Sequence, residues 1–365
     1  MARYDEICAR LRSEPRRFLV TGAAGFIGSH LVEALLKLGQ NVVGLDNFAT
    51  GSQSNVSEVL GRVGATGASR FRLIEGDIRD PEVCRMAAEG AEIVLHQAAL
   101  ASVPRSMKDP RSTHTVNVDG FVNVLLAAHA AGVRRVVYAS SSSVYGDEES
   151  QPKTEALIGR PLSPYAATKL IDEVYAGTFR RTHDIQSVGL RYFNVFGPRQ
   201  DPDGPYAAVI PRWIERLLKD ETCIVFGDGT ASRDFCFIDN VVQANLLAAC
   251  TPEAMLQHDV FNVACGARTT LKELFSAIRK GVGRYRPNAE EARLRFDPPR
   301  AGDIPHSFAS IDRACQELGF KPSHDVASGM AETIAWYEPR VTKALRASVD
   351  GTFVHSIQSE SSKAP

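Results

Sequence analysis

The sequence predicts an α/β fold, a doubly wound parallel sheet joined to a smaller mixed α/β domain. From residue 17 onward, short apolar runs alternate with segments of helical periodicity, a pattern typical of parallel sheets covered by helices on both faces. Polar clusters follow five of these runs, at 46–47, 77–78, 97–99, 140–143 and 191–194, and ligands of such sheets bind at strand ends of this kind. After residue 194 the pattern loosens into loops rich in glycine, proline and aspartate, which indicates a second, smaller domain.

The individual elements follow from local periodicity. Residues 4–11 carry apolar side chains at helical spacing, so a short amphipathic helix is predicted before the first strand. Strands are predicted at 18–20, 41–45, 71–75, 92–96, 136–139 and 187–190. Helices are predicted at 29–38, from Ser163-Pro164 onward, and at 213–218, 239–249 and 271–279.

The order of these elements suggests where the domains begin and end. We expect 1–194 plus about 239–265 to form the first domain, and about 195–238 plus 266–340 to form the second. The tail, 345–365, is serine-rich and polar and is expected to be disordered.

Composition excludes several classes of protein. The chain has 365 residues, of which 44% are hydrophobic and 23% charged, as in globular proteins with a sizeable core. Its net charge of -1 gives no basic excess for nucleic acid or an anionic membrane. Seven scattered cysteines without a C-x-x-C pair favour buried thiols in a reducing compartment over disulfides or a metal site. The charged N-terminus and the lack of a long apolar run predict a cytoplasmic protein.

A glycine-rich turn lies between the first predicted strand and the first long helix. Gly22, Gly25 and Gly28 have the spacing G-x-x-G-x-x-G. Gly22 permits a tight turn, Gly25 lets backbone approach a pyrophosphate, and Gly28 lets helix pack on strand. Asp46 follows the second strand, where a carboxylate receives a ribose 2′-hydroxyl. The pattern predicts a Rossmann-type dinucleotide site; the alternative is a tight turn beside a surface acid.

A tyrosine and a lysine lie four residues apart in the helix expected after Ser163. Tyr165 and Lys169 therefore share one helix face, where the lysine can favour ionisation of the phenol. Ser141 ends the fifth predicted strand, and its hydroxyl could share the proton of a substrate oxygen with Tyr165. An ordinary surface-helix pair is the alternative interpretation of the tyrosine and lysine.

Taken together, these motifs resemble the extended short-chain dehydrogenase/reductase family, and within it the nucleotide-sugar 4-epimerases. The resemblance covers about 17 to 337 and is closest to the bacterial group that prefers N-acetylated sugars. The motifs that carry it are Thr21-Gly-x-x-Gly25-x-x-Gly28, Asp46-Asn47, Asp77, His96-Gln97-Ala98-Ala99, Val103-Pro104-Arg105-Ser106, Ser141 with Val144-Tyr145-Gly146, Tyr165-x-x-x-Lys169, Arg191-Tyr192-Phe193-Asn194-Val195-Phe196-Gly197, Tyr206 to Pro211, Gly227-Asp228-Gly229, Arg233-Asp234 and Arg300-x-Gly302-Asp303.

The resemblance implies a role for each matching residue. Tyr165 would be the catalytic base, Lys169 would hold the nicotinamide ribose, and Ser141 would hydrogen-bond the sugar O4. NAD would be bound by Gly22, Gly25, Phe26, Ile27, Gly28, Asp46, Asn47, Phe48, Thr50, Gly51, Asp77, Ile78, Gln97, Ala98, Ala99, Asn117, Ser140, Tyr165, Lys169, Tyr192 and Val195. The nucleotide sugar would be bound by Ser102, Ser141, Ser142, Ser143, Asn194, Gln200, Ala208, Val209, Trp213, Phe226, Arg233, Arg300, Asp303 and Ser307, and no metal is expected.

Two positions refine the implied reaction. The related sugar 4,6-dehydratases carry an Asp-Glu pair where this chain has Ser142 and Ser143, so elimination of water is disfavoured. Ser307 matches the position whose bulk limits the substituent at sugar C2, and a serine leaves room for an N-acetyl group. His96 and His306 are expected to be packing or polar wall residues, since no metal-ligand spacing accompanies them.

The implied activity is the reversible, NAD-dependent 4-epimerisation of UDP-N-acetylhexosamines through a 4-keto sugar. The corresponding uronic acid is an alternative substrate, and a net NAD-dependent dehydrogenase or decarboxylase acting on a nucleotide sugar is an alternative reaction. A non-catalytic nucleotide-sugar sensor is a third possibility, although it would not need Ser141, Tyr165 and Lys169. Relatives pair two helices of each subunit as a homodimer, and Val118, Phe121, Val122 and Leu125 could supply the apolar contact here. Burial of these four side chains within the monomer is the alternative.

Overall fold

The computed structural model describes residues 2–203, 207–299 and 305–360, with side chains as far as 347. The chain divides into two compact units. Unit 1 comprises Met1–Val195, Arg233–Arg268 and Ser307–Asp325, and unit 2 comprises Phe196–Ser232, Thr269–His306 and Val326–Pro365.

The strands of the described residues are, in chain order, β1 Arg17–Thr21, β2 Asn41–Asp46, β3 Phe71–Glu75, β4 Ile93–His96, β5 Arg135–Ser141, β6 Gln186–Tyr192, β7 Val195–Phe196, β8 Cys223–Phe226, β9 Ser232–Arg233, β10 Cys236–Phe237, β11 Val260–Val263, β12 Thr269–Thr270, β13 Leu294–Asp297 and β14 His306–Ser307.

The α-helices are α1 Arg3–Ser13, α2 Phe26–Lys37, α3 Gln53–Ala68, α4 Pro81–Ala88, α5 Val103–Lys108, α6 Pro110–His114, α7 Gly120–Ala130, α8 Pro164–Thr182, α9 Val209–Leu218, α10 Ile238–Cys250, α11 Leu271–Gly283 and α12 Val326–Glu360. None of these helices, over the residues described, combines the length and apolar content needed to cross a bilayer.

Unit 1 is built on a seven-stranded sheet in the order β11-β6-β5-β4-β1-β2-β3, and every neighbouring pair is parallel. Residues 18–21 of β1 and all of β4 are buried, as expected for strands covered by helices on both faces. Because β1 lies between β2 and β4, the strand order reverses there and leaves a crevice at the carboxyl ends. The predicted doubly wound parallel sheet is confirmed.

All six predicted strands are present, each within two residues of its expected ends. The seventh, β11, was not predicted, because Asn262 interrupts its short apolar run. The short N-terminal helix is confirmed as α1, with Ile7, Cys8 and Leu11 buried.

Two boundaries differ from the sequence-based expectation. The segment 307–325 lies in unit 1 rather than in the second domain, because its backbone pairs with Lys153: the Lys153 N–H donates to the Phe308 carbonyl at 2.8 Å and the Ser310 N–H donates to the Lys153 carbonyl at 3.0 Å. Helix α12 continues to Glu360, through most of the tail expected to be disordered, and 361–365 lie outside the described residues.

Two further expectations need correction. All seven cysteines carry free thiols and five are buried, but Cys315 is exposed because it lies on the outer side of a single helical turn, 314–318.

The second correction concerns the expected dimer contact. Val118, Phe121 and Leu125 are buried within unit 1, and Val122 is half-buried, so the proposed dimer stripe belongs mainly to the core. The exposed apolar side chains of α7 and α8 are instead Leu126, Val174 and Tyr175.

Unit 2 contains α9, α11 and α12 and the parallel pair β8 and β13. The predicted helices at 213–218 and 271–279 are confirmed within α9 and α11.

Candidate active site

The glycine turn is shaped by contacts that leave no space for side chains. Gly22 has a φ of +69°, in the left-handed region that favours glycine. A Cβ added to Gly28 would lie 1.9 Å from the Gly22 carbonyl oxygen. Helix α2 begins at Phe26, and its N-cap residue, Gly25, provides no capping side chain. The amides of the first helical turn therefore remain suited to an anion such as a pyrophosphate.

One pocket of unit 1 opens at the carboxyl ends of β1 to β4. It is lined by these predicted NAD-binding residues: Gly22, Gly25, Phe26, Ile27, Asp46, Asn47, Thr50, Asp77, Ile78, Gln97, Ala98 and Ala99. The other predicted NAD-binding residues, namely Gly28, Phe48, Gly51, Asn117, Ser140, Tyr165, Lys169, Tyr192 and Val195, do not line this pocket.

Asp46 ends β2 with its carboxylate held by backbone. One oxygen accepts the Ala24 N–H at 2.9 Å, and the other accepts the Phe48 N–H at 2.8 Å. Phe48 has a φ of +57°. A Cβ on Gly51 would lie 3.0 Å from the same carboxylate, so this predicted residue acts by leaving space for Asp46. The carboxylate is fixed at the pocket wall.

Asp77 is paired with an arginine that the sequence analysis did not consider. Arg79 donates to the Asp77 carboxylate through Nε at 3.0 Å and Nη2 at 2.7 Å, and the Asn47 amide donates to it at 2.7 Å. The hydrogen bonds from Arg79 lower the pKa of Asp77 to about 2. Arg79 also lines the pocket, with its charge already matched by Asp77.

Buried polar residues fix the floor of this pocket. The Thr21 hydroxyl accepts the N–H groups of Gln97 and Ala98, each at 3.2 Å, and lies 2.8 Å from His96 Nδ1. Burial lowers the pKa of His96 to about 3, so this histidine is neutral.

Asn245 on α10, which sequence reasoning missed, joins Gln97 and Tyr192 in one network. Tyr192 donates to Gln97 at 3.0 Å and accepts from Asn245 at 2.9 Å. Tyr192 thus reaches the pocket wall through Gln97.

The predicted catalytic helix begins where the sequence placed it. Ser163 is the N-cap of α8 and accepts the Ala166 N–H at 3.1 Å, while Pro164 occupies the first helical position. Tyr165 is half-buried in the first turn, and Lys169 lies one turn later with only 2% exposure. The two residues are on one face of the helix.

Lys169 has a buried acidic partner that the sequence analysis missed. Its ammonium donates to Asp172 at 3.0 Å, and Asp172 is 1% exposed. Burial lowers the pKa of Lys169, but Asp172 and Tyr165 raise it by more, so the ammonium keeps its proton. Burial raises the pKa of Asp172 to about 6 although Lys169 opposes this. The i,i+3 spacing within α8 was a signal that could have revealed the pair.

Ser141 ends β5 with its acceptor capacity already used. Its oxygen accepts the Ser143 N–H at 3.1 Å and the Ser143 hydroxyl at 2.9 Å. The Ser141 hydroxyl proton therefore remains available for an external acceptor. Ser140 instead donates to Glu173 at 2.5 Å, and Glu173 forms a buried ion pair with Arg191 at 2.8 Å. This places Ser140 in a structural network.

Three further predicted residues of unit 1 are Ser102 and Arg233, expected to bind the nucleotide sugar, and Asn117, expected to bind NAD. Ser102 caps α5 by accepting the Arg105 N–H at 3.1 Å. Asn117 is fully buried, where it accepts the Leu100 N–H at 2.8 Å and donates to Thr168 at 3.0 Å. Arg233 lies in β9.

Asp234 organises the loops that carry Asn194 and Ser307. Asn194 donates to the Asp234 carbonyl at 3.0 Å, and the Asp234 N–H donates to the Ser307 carbonyl at 3.0 Å. The Asp234 carboxylate accepts the N–H groups of Cys265 at 2.9 Å and Gly266 at 3.0 Å. Burial raises the pKa of Asp234 to about 6, although these backbone hydrogen bonds lower it. Asp234 appeared in the sequence motif but was given no role.

A separate pocket lies within unit 2. It is lined by three predicted sugar-nucleotide residues, Val209, Trp213 and Phe226, and by Arg212 and Arg216, which sequence reasoning missed. The Trp213 indole donates to the Ile224 carbonyl at 3.1 Å, which fixes the ring. Ala208 is the N-cap of α9, and the Gln200 carbonyl accepts from Tyr337. Arg300 and Asp303 lie outside the described residues.

Comparison with known proteins shows the family of the chain. Residues 18–264 match the NAD dependent epimerase/dehydratase family. The chain is 41% identical over 323 residues to a UDP-glucose 4-epimerase of Mycolicibacterium smegmatis, covering 88% of this chain and 98% of that protein. It resembles the structure of a UDP-N-acetylglucosamine 4-epimerase from Methanobrevibacter ruminantium, in complex with UDP-N-acetylmuramic acid, with 34% identity, a TM-score of 0.81 and coverage of 90% and 99%. A Thermus thermophilus UDP-glucose 4-epimerase in complex with NAD gives 33% identity, a TM-score of 0.76 and coverage of 88% and 98%.

Proposed function

The chain belongs to the NAD-dependent epimerase/dehydratase family, and on that basis we propose that this enzyme, a UDP-sugar 4-epimerase that uses NAD, interconverts UDP-GlcNAc and UDP-GalNAc. Its glycine turn suits the cofactor, because the position of Gly28 has no room for a Cβ and the first amides of α2 are open to a pyrophosphate. The fixed carboxylate of Asp46 suits an unphosphorylated ribose.

Three side chains of unit 1 would carry the proton chemistry. Bound NAD supplies hydride uptake from sugar C4 and hydride return, so the sugar passes through a 4-keto form. Tyr165 would take the O4 proton in the first half of the reaction and return it in the second. Ser141 would donate a hydrogen bond to O4 through its uncommitted hydroxyl. Lys169 would orient the ribose and favour the ionised phenol.

The small side chain of Ser307 is the observation that carries the substrate proposal. Ser307 is half-buried, and its loop is anchored through backbone to Asp234. If this serine faces sugar C2, as the family resemblance implies, an N-acetyl group has space that a tyrosine would fill. Arg212 and Trp213, in the pocket of unit 2, would contact the nucleotide part of the substrate.

Purified protein should be assayed with UDP-GlcNAc, UDP-GlcNAcA and UDP-glucose, without added NAD. We expect the highest kcat/KM with UDP-GlcNAc and formation of UDP-GalNAc. A preference for UDP-glucose or for the uronic acid would reject the substrate proposal while leaving 4-epimerisation intact. Turnover that required and consumed added NAD would indicate a net dehydrogenase or decarboxylase, and binding without turnover would indicate a sensor.

A homodimer is part of this proposal. The exposed Leu126, Val174 and Tyr175 of α7 and α8 would supply the apolar contact between two copies. Light scattering should give twice the mass of the chain, and Val174→Glu should shift the population toward the monomer. A monomeric wild-type protein would reject this part.

A further inference from the structure

A second polar cavity of unit 1 lies at the amino ends of β4, β5 and β6, the opposite edge of the sheet from the cofactor pocket. The first residues of these strands, Ile93, Arg135 and Gln186, form one wall. The end of α10 and the residues that follow, 249–253, form another. Arg10 of α1 and two loop residues, Arg16 and Arg134, also line the cavity.

The cavity is strongly basic. Four guanidinium groups, from Arg10, Arg16, Arg134 and Arg135, and one carboxylate, that of Glu253, belong to the lining residues, and Arg16 also lies 3.8 Å from the Glu14 carboxylate outside the lining. Glu253 accepts from Gln186, which also lines the cavity, and lies 3.6 Å from Arg180 outside it. The exposed Arg134 side chain makes no hydrogen bond or ion pair with the residues that the structure describes.

Capping of α10 explains only part of this arrangement. Arg135 donates from Nη1 to the carbonyls of Ala248, at 2.9 Å, and Thr251, and from Nη2 to Gln186 at 2.7 Å. Arg10 donates to the Cys250 carbonyl at 2.8 Å. These bonds satisfy carbonyl groups at the end of the helix, where positive charge is favourable.

Three polar atoms of residues that line the cavity are buried and lack a partner in the described part of the chain. They are Nε of Arg10, Nε of Arg135 and the hydroxyl oxygen of Thr251. Arg135 is 5% exposed and Thr251 is 1% exposed. Each of these groups can donate a hydrogen bond, and a buried donor without an acceptor is costly. The missing component is an acceptor with several oxygens and negative charge.

We propose that this cavity binds a phosphate-type oxyanion, either free phosphate or the phosphate group of a small monoester. A tetrahedral oxyanion presents acceptors in several directions at once and could bond donors from α1, β5 and the end of α10 together. Guanidinium groups match such oxygens in pairs. The bound anion would tie α1 to the sheet, away from the catalytic side chains.

Titration calorimetry on the NAD-bound enzyme, with UDP at saturation to occupy the substrate's diphosphate site, tests this proposal. Inorganic phosphate and glycerol 3-phosphate are titrated separately, each at constant ionic strength set with chloride. We expect one saturable site per chain with a Kd of about 1 mM or tighter for at least one of the two probes. Arg16→Gln combined with Arg134→Gln should weaken binding at least about tenfold. Arg12→Gln, on the exposed side of α1, is the matched control and should bind as the wild type does.

Each outcome has a defined meaning. Binding of both probes supports a site that admits monoesters, and binding of phosphate alone supports a site for the free anion. The absence of saturable binding of either probe would mean that only water fills the cavity and would overturn the proposal. Equal binding by the double variant and the wild type would place the anion elsewhere and would also overturn it. Neither readout depends on which sugar the enzyme accepts.

Discussion

The exchange Asp172→Asn should change how the free energy of unfolding depends on pH. Asp172 is 1% exposed, and burial raises its pKa to about 6 despite the neighbouring Lys169. An unfolded aspartate has a pKa of about 3.9. Between these values the folded chain holds a proton that the unfolded chain has lost. The contribution of Asp172 to the free energy of unfolding is therefore fully present below about pH 4 and is lost as the pH rises through about 6. The difference between the two pKa values corresponds to about 3 kcal/mol.

Asparagine has nearly the shape of the protonated carboxyl group but does not titrate. The variant should therefore gain about 3 kcal/mol relative to the wild type between about pH 4 and about pH 7. A pair held mainly by attraction would behave differently, because loss of the carboxylate would cost about 3–5 kcal/mol wherever the wild-type pair is ionised. The raised pKa of Asp172 favours the first outcome, since it means that burial outweighs the attraction of Lys169.

Urea unfolding of the NAD-bound protein across this pH range measures the effect. Ile171→Val, next to Asp172 on α8, is the control, because it removes a methylene without changing charge and its effect should be constant with pH. Wild-type and Asp172→Asn curves that stay parallel from about pH 4 to about pH 7 would refute the reasoning.

Three further predictions concern the reaction itself. The fixed carboxylate of Asp46 should repel a 2′-phosphate, so NADP should bind at least about tenfold more weakly than NAD; equal Kd values would contradict this role. Tyr165→Phe should lose nearly all turnover while the Kd for UDP-sugar stays close to the wild-type value, because the phenol acts mainly in the transition state; a variant with half the normal kcat would exclude this mechanism. Ser307→Tyr should reduce kcat/KM for N-acetylated substrates by about ten- to a hundredfold, since overpacking costs about 1–3 kcal/mol, and should leave UDP-glucose nearly unchanged. Equal losses for both substrate classes would show that Ser307 does not face sugar C2.

The sequence predicted features that depend on local pattern. Apolar runs located six of the seven strands of the sheet, and the glycine spacing located the turn, because the close approach of Gly28 to the Gly22 carbonyl is a contact within the turn itself. The polar ends of neighbouring strands located the pocket, since parallel strands bring their carboxyl ends to one edge.

Features that depend on long-range pairing could not be predicted in this way. The segment 307–325 joins unit 1 through backbone hydrogen bonds with Lys153, a residue more than 150 positions earlier. The apolar side chains of α7 have the pattern of a contact surface, but whether they cover the core or face another subunit depends on what packs against them. Asp234 has no local signal beyond its charge, because its partners are backbone amides in two distant loops.

The orientation of the site residues depends on partners that would not themselves touch the substrate. Asp46 is held by the amides of Ala24 and Phe48, and Lys169 is held by Asp172. Because folding supplies these contacts, little side-chain freedom remains to be lost when cofactor and sugar bind. The buried pair of Lys169 and Asp172 also bears on whether stability or catalysis accounts for these two residues. Burial makes the charged form of Asp172 unfavourable, so the pair is not explained by stability. In the proposed mechanism, an ammonium held one helical turn from Tyr165 would favour the ionised phenol, and this is the reason to expect stability and catalysis to respond in opposite directions when Asp172 is changed.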